Sequence, residues 1–347
     1  MLGKLRSALI VFVVLGVGVF PAFGVVAAEK GKASSGSTRQ TNSGAVKKKT
    51  LAVSQVSKRV GATRKAASTA AVSARPGEEQ RLAVMSGSAL VVEQGGGGAL
   101  YQKNANVVVP IASITKLMTA MVVLDATPDL QASIAISDDD VDYLRGSRSR
   151  LNVGASMTRE TALLLALMSS ENRAAHALAR HYPGGMAAFV AAMNMKAQSL
   201  GMRDSHFEDP TGLTSSNVST AHDLARMVSA AYSYPLIREF STTPEAVVDV
   251  AGRQLAFHNT NPLVKNASWD VGLSKTGYIH EAGKCLVMQA RVADRPVVIV
   301  LLDSVGKLTR VGDANRIKRW MEHAHAARPV PQQAATLRTM ASGILPG

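Results

Sequence analysis

Two groups of β-strand patterns, far apart along the chain, frame a long region of helical pattern. Near the start of the apolar part, residues 88–93 and 99–102 flank the glycine run at 95–98, which predicts a β-hairpin. Residues 285–292 and 296–302 are apolar runs separated by the short polar stretch 293–295, and they predict a second hairpin. Strands at both ends with helices between them predict one sheet assembled from distant segments.

The region between the strand patterns is predicted to be mostly helical. Pro110 closes an extended stretch, and the apolar residues that follow it recur at helical spacing, so a helix is expected to begin close to Ser113. Turns such as the Asp-Pro-Thr-Gly sequence at 209–212 separate the later helices. Further helical patterns cover residues 161–168, 174–181, 186–200, 221–232 and 314–323.

The first 28 residues have the pattern of a secretory signal peptide. Lys4 and Arg6 precede an apolar run at 8–20, and small residues follow up to Ala28, where cleavage is expected. The alternative is a retained anchor, which the short apolar run disfavours. No later segment is predicted to cross a bilayer, so we expect an exported, periplasmic protein.

Most of the positive charge lies outside the apolar part of the chain. The formal net charge is +14, and residues 29–80 carry 11 Lys or Arg against 3 Glu. This segment has no sustained apolar period and is predicted to be a flexible basic linker. A nucleic-acid arm is the alternative, but the segment has no Phe, Tyr or Trp to stack on bases. We therefore expect no nucleic-acid partner and at most peripheral membrane contact.

The folded part is expected to span residues 81–325, with a polar tail at 326–347. The chain has one cysteine, Cys285, so no internal disulfide stabilises the fold. Cys285 lies in an apolar run, where a small buried side chain is expected, and no chemistry is assigned to it.

Three short motifs occur in order: S-I-T-K at 113–116, S-E-N at 170–172 and K-T-G at 275–277. In the first, Ser113 and Lys116 are three residues apart and face the same side of a helix, which places a nucleophile beside a base. Lysine acts as a base only when neutral, and burial or a nearby positive charge lowers its pKa. Lys275, brought close, would supply such a charge.

The second and third motifs suit the remaining catalytic tasks. Ser170 can pass a proton toward a leaving amine, and Asn172 can hold a substrate amide and orient Lys116. Lys275 and Thr276 are suited to binding a substrate carboxylate. Structural alternatives exist for each motif taken alone, such as an exposed helix pair, a helix cap or a strand end with a turn glycine. The ordered set favours function.

Gly277 is expected to let the edge of a strand approach the substrate closely. The backbone N–H of Tyr278 is then a candidate oxyanion donor, together with the N–H of Ser113 at the start of a helix. An acyl transfer through Ser113 is the chemistry that these residues predict together.

The three motifs, in this order, resemble those of penicillin-binding proteins and serine β-lactamases. Over residues 81–325 the chain is most similar to the low-molecular-mass D-alanyl-D-alanine peptidases, and among these to the endopeptidases of the penicillin-binding protein 7 type. The blocks that carry this resemblance are IASITKLMTAMVVLDA, LLLALMSSENRAAHALARHYPGG, DPTGLTSSNVSTAHDLARM and LSKTGYIHEAGKCLVM.

The resemblance implies a mixed α/β (α+β) fold with a five-stranded, mainly antiparallel sheet flanked by helices. A helical lobe adjoins the sheet, and the active site lies at their junction. It also implies peptidoglycan stem peptides as substrates, β-lactam antibiotics as covalent inhibitors, and no metal or cofactor.

Other enzyme classes fit the sequence less well. A class A β-lactamase needs a glutamate and a water for deacylation, and Glu171 is expected to be only an exposed acid at a helix start. No G-x-S-x-G elbow of a Ser-His-Asp hydrolase and no H-E-x-x-H zinc motif occurs. A non-catalytic wall-binding module would be expected to lack a motif residue, and none is missing.

Two peptidase activities remain open at this point. A terminal D-alanine and a diaminopimelate cross-link both place a free carboxylate after the scissile bond, so Lys275 and Thr276 suit either substrate. The family resemblance favours the endopeptidase. The chain also ends soon after the helix near Trp320, which leaves no room for the extra β-domain and anchor of many carboxypeptidases. Cleavage of cross-links needs an open groove for the leaving stem peptide, which sequence alone does not reveal.

Overall fold

The computed structural model describes residues 82–96 and 98–326. The predicted signal peptide at 1–28, the predicted linker at 29–80 and all of the predicted tail after Ala326 lie outside the described residues. Among the described residues, no helix has both the length and the apolar character of a membrane span.

The strands, in chain order, are β1 (Ser88–Glu93), β2 (Ala99–Lys103), β3 (Val109–Pro110), β4 (Ser133–Ala135), β5 (Ser156–Thr158), β6 (Val218–Ser219), β7 (Glu245–Val250), β8 (Arg253–His258), β9 (Asp270–Ile279), β10 (Gly283–Val292) and β11 (Arg295–Ser304). The α-helices are α1 (Thr115–Asp125), α2 (Arg159–Met168), α3 (Asn172–Arg180), α4 (Gly185–Ser199), α5 (Ala221–Ala231), α6 (Pro235–Thr242) and α7 (Thr309–Ala326). Single 3₁₀ turns occur at Ala112–Ile114, Asp138–Asp140 and Pro262–Lys265.

The main sheet has five strands in the order β2-β1-β11-β10-β9, and every neighbouring pair is antiparallel. Both predicted hairpins, β1–β2 and β10–β11, belong to it, which confirms the single sheet expected from the two ends of the chain. β9 carries the K-T-G motif and lies at one edge, so one side of this strand is open to an extended peptide.

The sheet is buried on both faces. Alternate residues of its central strands face different cores: Leu90 and Val300 pack against the helical lobe, whereas Val91 and Leu301 pack toward α7. Two-sided burial explains why these strands are continuously apolar in sequence instead of alternating with polar residues.

α1 is the central helix of the lobe. Nine consecutive residues, from Thr115 to Val123, are buried, so the helix has no solvent-facing side over this stretch. α1 is surrounded by other elements of the lobe and begins immediately after the 3₁₀ turn that contains Ser113. The predicted helix start close to Ser113 is confirmed.

Some elements differ from the sequence predictions. The hairpin of β7 and β8, and helix α6 before it, fall in a region for which no element was predicted. The last helix is also longer than the predicted 314–323, because α7 begins at Thr309 and continues to Ala326.

Candidate active site

Ser113 lies in the 3₁₀ turn Ala112–Ile114 at the entrance to α1. Its Oγ is 2.8 Å from the Nζ of Lys116. Ala112 has a φ of 48°, in the left-handed region that residues with a side chain seldom occupy. Such strain persists only where the surrounding structure holds the backbone in place, and it is common at active sites. The structure therefore brings the predicted nucleophile and base together on a fixed turn.

The amine of Lys116 is fully buried and has three oxygen neighbours. Besides Ser113, these are Oδ1 of Asn172 at 2.8 Å and the carbonyl oxygen of Thr211 at 2.7 Å. The amide and carbonyl oxygens can only accept hydrogen bonds, whereas a neutral amine has two N–H groups and one lone pair. In the neutral state those two oxygens take both N–H groups, and the lone pair is left to face the hydroxyl of Ser113. This is the arrangement that a general base needs.

Burial lowers the pKa of Lys116 from 10.5 to about 7. The carboxylates of Asp209 and Glu171 act against this shift, because negative charge favours the protonated amine. A lysine with this pKa is neutral in a large fraction of molecules at physiological pH. It can therefore take a proton from a serine hydroxyl without a histidine.

The S-E-N motif forms the turn between α2 and α3. Ser170 has a φ of 62°, and its Oγ accepts a 2.9 Å hydrogen bond from the Nζ of Lys275. Asn172 is the first residue of α3, and its Nδ2 donates to the Oγ of Ser147 at 2.9 Å. That bond fixes the orientation of the amide, so its oxygen points to Lys116.

Lys275 is buried on the edge strand β9, and its Nζ also donates to the carbonyl oxygen of Thr276 at 2.9 Å. Burial lowers the pKa of Lys275 well below its ordinary value, and the nearby positive charges of Lys116 and Arg310 lower it further. The charge of Lys116 therefore opposes protonation of Lys275, whereas the lowered pKa of Lys116 comes from burial and not from Lys275, which the sequence analysis expected to contribute.

Gly277 brings β9 against the turn that carries the nucleophile. A Cβ at this position would lie 2.9 Å from the carbonyl oxygen of Ile111 and 3.1 Å from the amide nitrogen of Ser113. Only glycine allows this approach, because a Cβ essentially never comes that close to backbone atoms. The strand that carries Gly277 thus approaches the backbone of Ser113 closely, which agrees with the expected reason for a glycine at this position. The side chain of Tyr278 is exposed and lies under the Nζ of Lys284, 4.1 Å from the ring centroid.

The sequence matches the peptidase family described as D-alanyl-D-alanine carboxypeptidase over residues 40–306. The chain belongs to this family. The D-alanyl-D-alanine endopeptidase of Pseudomonas aeruginosa is 51% identical over 246 residues, which cover 70% of this chain and 79% of that protein. The D-alanyl-D-alanine endopeptidase of Escherichia coli is 44% identical over 257 residues, covering 74% of this chain and 83% of that protein.

Solved structures of the family have the same fold. The Streptomyces K15 DD-transpeptidase matches with a TM-score of 0.65 at 29% identity, covering 69% of this chain and 98% of that chain. The D-alanyl-D-alanine carboxypeptidase of Mycobacterium tuberculosis matches with a TM-score of 0.63 at 28% identity, covering 71% of this chain and 93% of that chain. The predicted fold and the predicted enzyme class, a serine-type peptidase, are confirmed.

The turn at 209–214 is a part of this peptidase site that none of the three sequence motifs includes. The carboxylate of Asp209 accepts hydrogen bonds from the backbone of Thr211, Gly212 and Thr214, which fixes the turn beneath Lys116. Gly212 has a φ of 79°, and a Cβ there would lie 1.9 Å from the carbonyl oxygen of Ala112. In the sequence this Asp-Pro-Thr-Gly turn separates two helical patterns and belongs to one of the blocks that carry the family resemblance, but neither feature predicts a role at the site.

Two further side chains of the peptidase affect the charge of the site: Arg310, for which the sequence predicted nothing, and Glu171, which differs from its expectation. Arg310 on α7 donates to the carbonyl oxygen of Gly277 at 3.2 Å and adds a positive charge near Lys275. Glu171, the residue before α3, is partly buried rather than exposed. Its carboxylate accepts a 2.7 Å hydrogen bond from the hydroxyl of Ser149. Its carboxylate helps to hold the proton on Lys116, so it has an electrostatic effect on the site.

Cys285 is buried on β10, and burial raises the pKa of its thiol to about 11. The expectation that it is an inert core residue agrees with this environment. Within the described residues, no cluster of His, Cys, Asp and Glu has the arrangement of a metal site.

Proposed function

We propose that this peptidase cleaves D-alanyl–diaminopimelate cross-links of peptidoglycan through an acyl-enzyme on Ser113. One observation carries the proposal: the amine of a buried lysine, whose pKa burial lowers to about 7, lies 2.8 Å from the hydroxyl oxygen of Ser113. This geometry supports nucleophilic catalysis by Ser113 with Lys116 as its base.

In the acylation step, Lys116 takes the hydroxyl proton while Oγ of Ser113 bonds to the D-alanyl carbonyl carbon. The carbonyl oxygen becomes negatively charged and is stabilised by the N–H groups of Ser113 and Tyr278. As the tetrahedral intermediate collapses, the C–N bond breaks and the leaving amine needs a proton. The proton that Lys116 took is relayed to this amine through the hydroxyl of Ser170, which leaves Lys116 neutral again and Ser170 protonated. The hydrogen bond from Lys275 keeps the Ser170 hydroxyl in place.

In this proposal, separate residues bind the two parts of the substrate on either side of the scissile bond. Thr276 and the charge of Lys275 bind the carboxylate of the residue after the scissile bond. Thr276 is oriented by a 2.7 Å hydrogen bond to Thr260. Asn172 contacts the donor peptide while keeping Lys116 in position. In deacylation a water replaces the leaving amine, Lys116 again accepts a proton, and the D-alanyl ester is hydrolysed.

The names of the relatives support the endopeptidase activity over the alternative. The two relatives at 51% and 44% identity are D-alanyl-D-alanine endopeptidases. D-alanyl-D-alanine carboxypeptidase activity, which trims pentapeptides, is the second candidate, because it is the activity in the family description. We also propose that the chain acts in the periplasm, on the basis of the signal-peptide pattern at 1–28.

The test uses purified protein with two substrates, cross-linked muropeptide dimers and a monomeric pentapeptide, followed by chromatography of the products. The proposal requires conversion of dimers to monomers by the wild type and no conversion by Ser113→Ala. Release of free D-alanine with the dimers left intact would establish the carboxypeptidase instead.

A labelled penicillin tests the nucleophile independently of the natural substrate. Peptide mass spectrometry should place the covalent adduct on Ser113, and Ser113→Ala should form none. An adduct on another serine, or one that persists in the variant, contradicts the assignment. Rapid turnover of the drug would indicate a β-lactamase.

A further inference from the structure

The hairpin of β7 and β8 begins next to the candidate active site and extends toward the lobe. Its base is close to the site, because the backbone N–H of Thr260 donates to the carbonyl of Met168 at 3.1 Å and Thr260 contacts Thr276. Its tip is attached to the lobe, since the N–H of Ala251 donates to the carbonyl of Ser156 at 3.3 Å. The hairpin therefore runs outward from Thr276 along the loop at 149–155.

One face of this hairpin is apolar except for a single arginine. The cross-strand pairs Ala246–Phe257, Val248–Leu255 and Val250–Arg253 share the face toward the lobe. The pairs that include Asp249 and Glu245 share the opposite face, so neither carboxylate faces Arg253. Arg253 is exposed to solvent, and among the described residues no hydrogen bond or ion pair is made by its side chain.

A cavity of about 280 Å³ lies between this face and the loop of the lobe. Arg150 and Arg253 line it together with the aliphatic side chains Val153, Val250 and Leu255, and no carboxylate lines it. Arg150 is held in place, because its guanidinium stacks on Phe257 at 4.0 Å from the ring centroid and donates to the carbonyl oxygen of Ala256. Two arginines over an aliphatic floor fit a ligand that has carboxylates on a short carbon chain.

The cavity lies on a path that the leaving peptide can take along β8. If Lys275 and Thr276 bind the carboxylate after the scissile bond, the rest of the leaving group continues past Thr260 along β8. At about 3.3 Å per residue, Phe257 lies roughly 10 Å and Arg253 roughly 23 Å beyond Thr260. A stem peptide of three or four residues with side-chain linkages covers a comparable length.

We infer that Arg150 and Arg253 form a subsite for the free carboxylates of the leaving stem peptide of a cross-linked dimer. This inference rests on the proposed endopeptidase function. It gives a binding site to the leaving stem peptide, which is the part of the substrate that a terminal D-alanine lacks. Neither a β-lactam nor a single D-alanine is long enough to extend from Thr276 to Arg253, roughly 23 Å along the hairpin.

The test compares Arg253→Glu with the conservative Arg253→Lys and with Arg203→Glu, a matched charge reversal at an exposed residue elsewhere in the lobe. For cross-linked dimers we expect Arg253→Glu to raise KM by about ten-fold or more, as expected for loss of a charge-assisted hydrogen bond, with little change in kcat. Arg253→Lys should retain part of the affinity, and Arg203→Glu should match the wild type. Acylation of Ser113 by benzylpenicillin should be the same in all four proteins.

A matching change in the substrate tests whether Arg253 interacts with that carboxylate directly. Amidation of the carboxylate on the glutamate of the leaving stem should raise KM for the wild type but not further for Arg253→Glu. Parallel loss of dimer cleavage and penicillin acylation would mean that Arg253 has only a structural role, and unchanged dimer cleavage in Arg253→Glu would overturn the subsite. Wild-type protein that binds penicillin yet leaves dimers intact would overturn the endopeptidase function and the subsite together.

Discussion

The pKa of Lys116 makes the pH dependence of acylation the most direct test of the mechanism. Burial lowers this pKa to about 7, and only the neutral amine can accept the proton of Ser113. With that value, about half of the molecules have a neutral Lys116 at pH 7, about one tenth at pH 6 and about one hundredth at pH 5. The acylation rate constant should therefore rise about ten-fold per pH unit below 7 and level off above pH 8. A lysine at its ordinary pKa would instead give a rate that still rises through pH 9.

The assay is stopped-flow acylation by a fluorescent penicillin between pH 5 and 10, with protein concentrations low enough to obtain the second-order rate constant. Lys116→Arg should lose about 10²- to 10⁴-fold at every pH, because a guanidinium stays protonated. Lys196→Arg is the control, since this lysine donates to Tyr234 and pairs with Asp125 away from the site. A flat profile from pH 5 to 8 in the wild type, or substantial acylation by Lys116→Arg, would refute the assignment of Lys116 as base.

Three further predictions concern the fold around the site. Gly212→Ala should destabilise the protein by about 2–5 kcal/mol and slow acylation, because its Cβ would overlap the backbone of Ala112 and its φ is left-handed. Gly154→Ala, at a similar φ but in open space, should cost only about 1–2 kcal/mol in thermal melts. Asp140 is buried, which raises its pKa, but hydrogen bonds from His176 and Arg180 outweigh this and lower the pKa to about 2. Its carboxylate therefore stabilises the fold above pH 4 and loses this effect as the pH falls toward 2, so Asp140→Asn should cost about 1–2 kcal/mol at pH 7 and much less at pH 2.5. Cys285 should react with a thiol reagent only after denaturation, and fast reaction of the native protein would contradict its burial.

The sequence marks the three motifs and the strands of the main sheet clearly, but it does not mark the turn at 209–214 or the β7–β8 hairpin. The turn at 209–214 acts on Lys116 through the backbone carbonyl of Thr211, a group that every residue has, so no residue type marks its role. The β7–β8 hairpin has the two-residue turn Ala251–Gly252, both with positive φ. Such turns favour Asn-Gly or Asp-Gly, so an Ala-Gly pair is a weak hairpin signal.

The same limit applies to Arg253 and Arg310. Both are single basic residues in polar surroundings of the sequence, and sequence spacing does not distinguish them from solvated surface arginines. Only the packing of α7 under β9, and of the β7–β8 hairpin beside the lobe, gives each its neighbours.

The sequence by itself determined which groups are available: a serine and a lysine one turn apart, a second serine with an asparagine, and a lysine on a strand before a glycine. It also determined that the strands at the two ends of the apolar region form one sheet, because their apolar runs need partners. The tertiary structure alone decided that the pKa of Lys116 falls to about 7, far below that of an ordinary surface lysine. Its protonation depends on desolvation by segments 56 and 95 residues away, those of Asn172 and Thr211, and burial of that kind is a property of packing, not of local sequence.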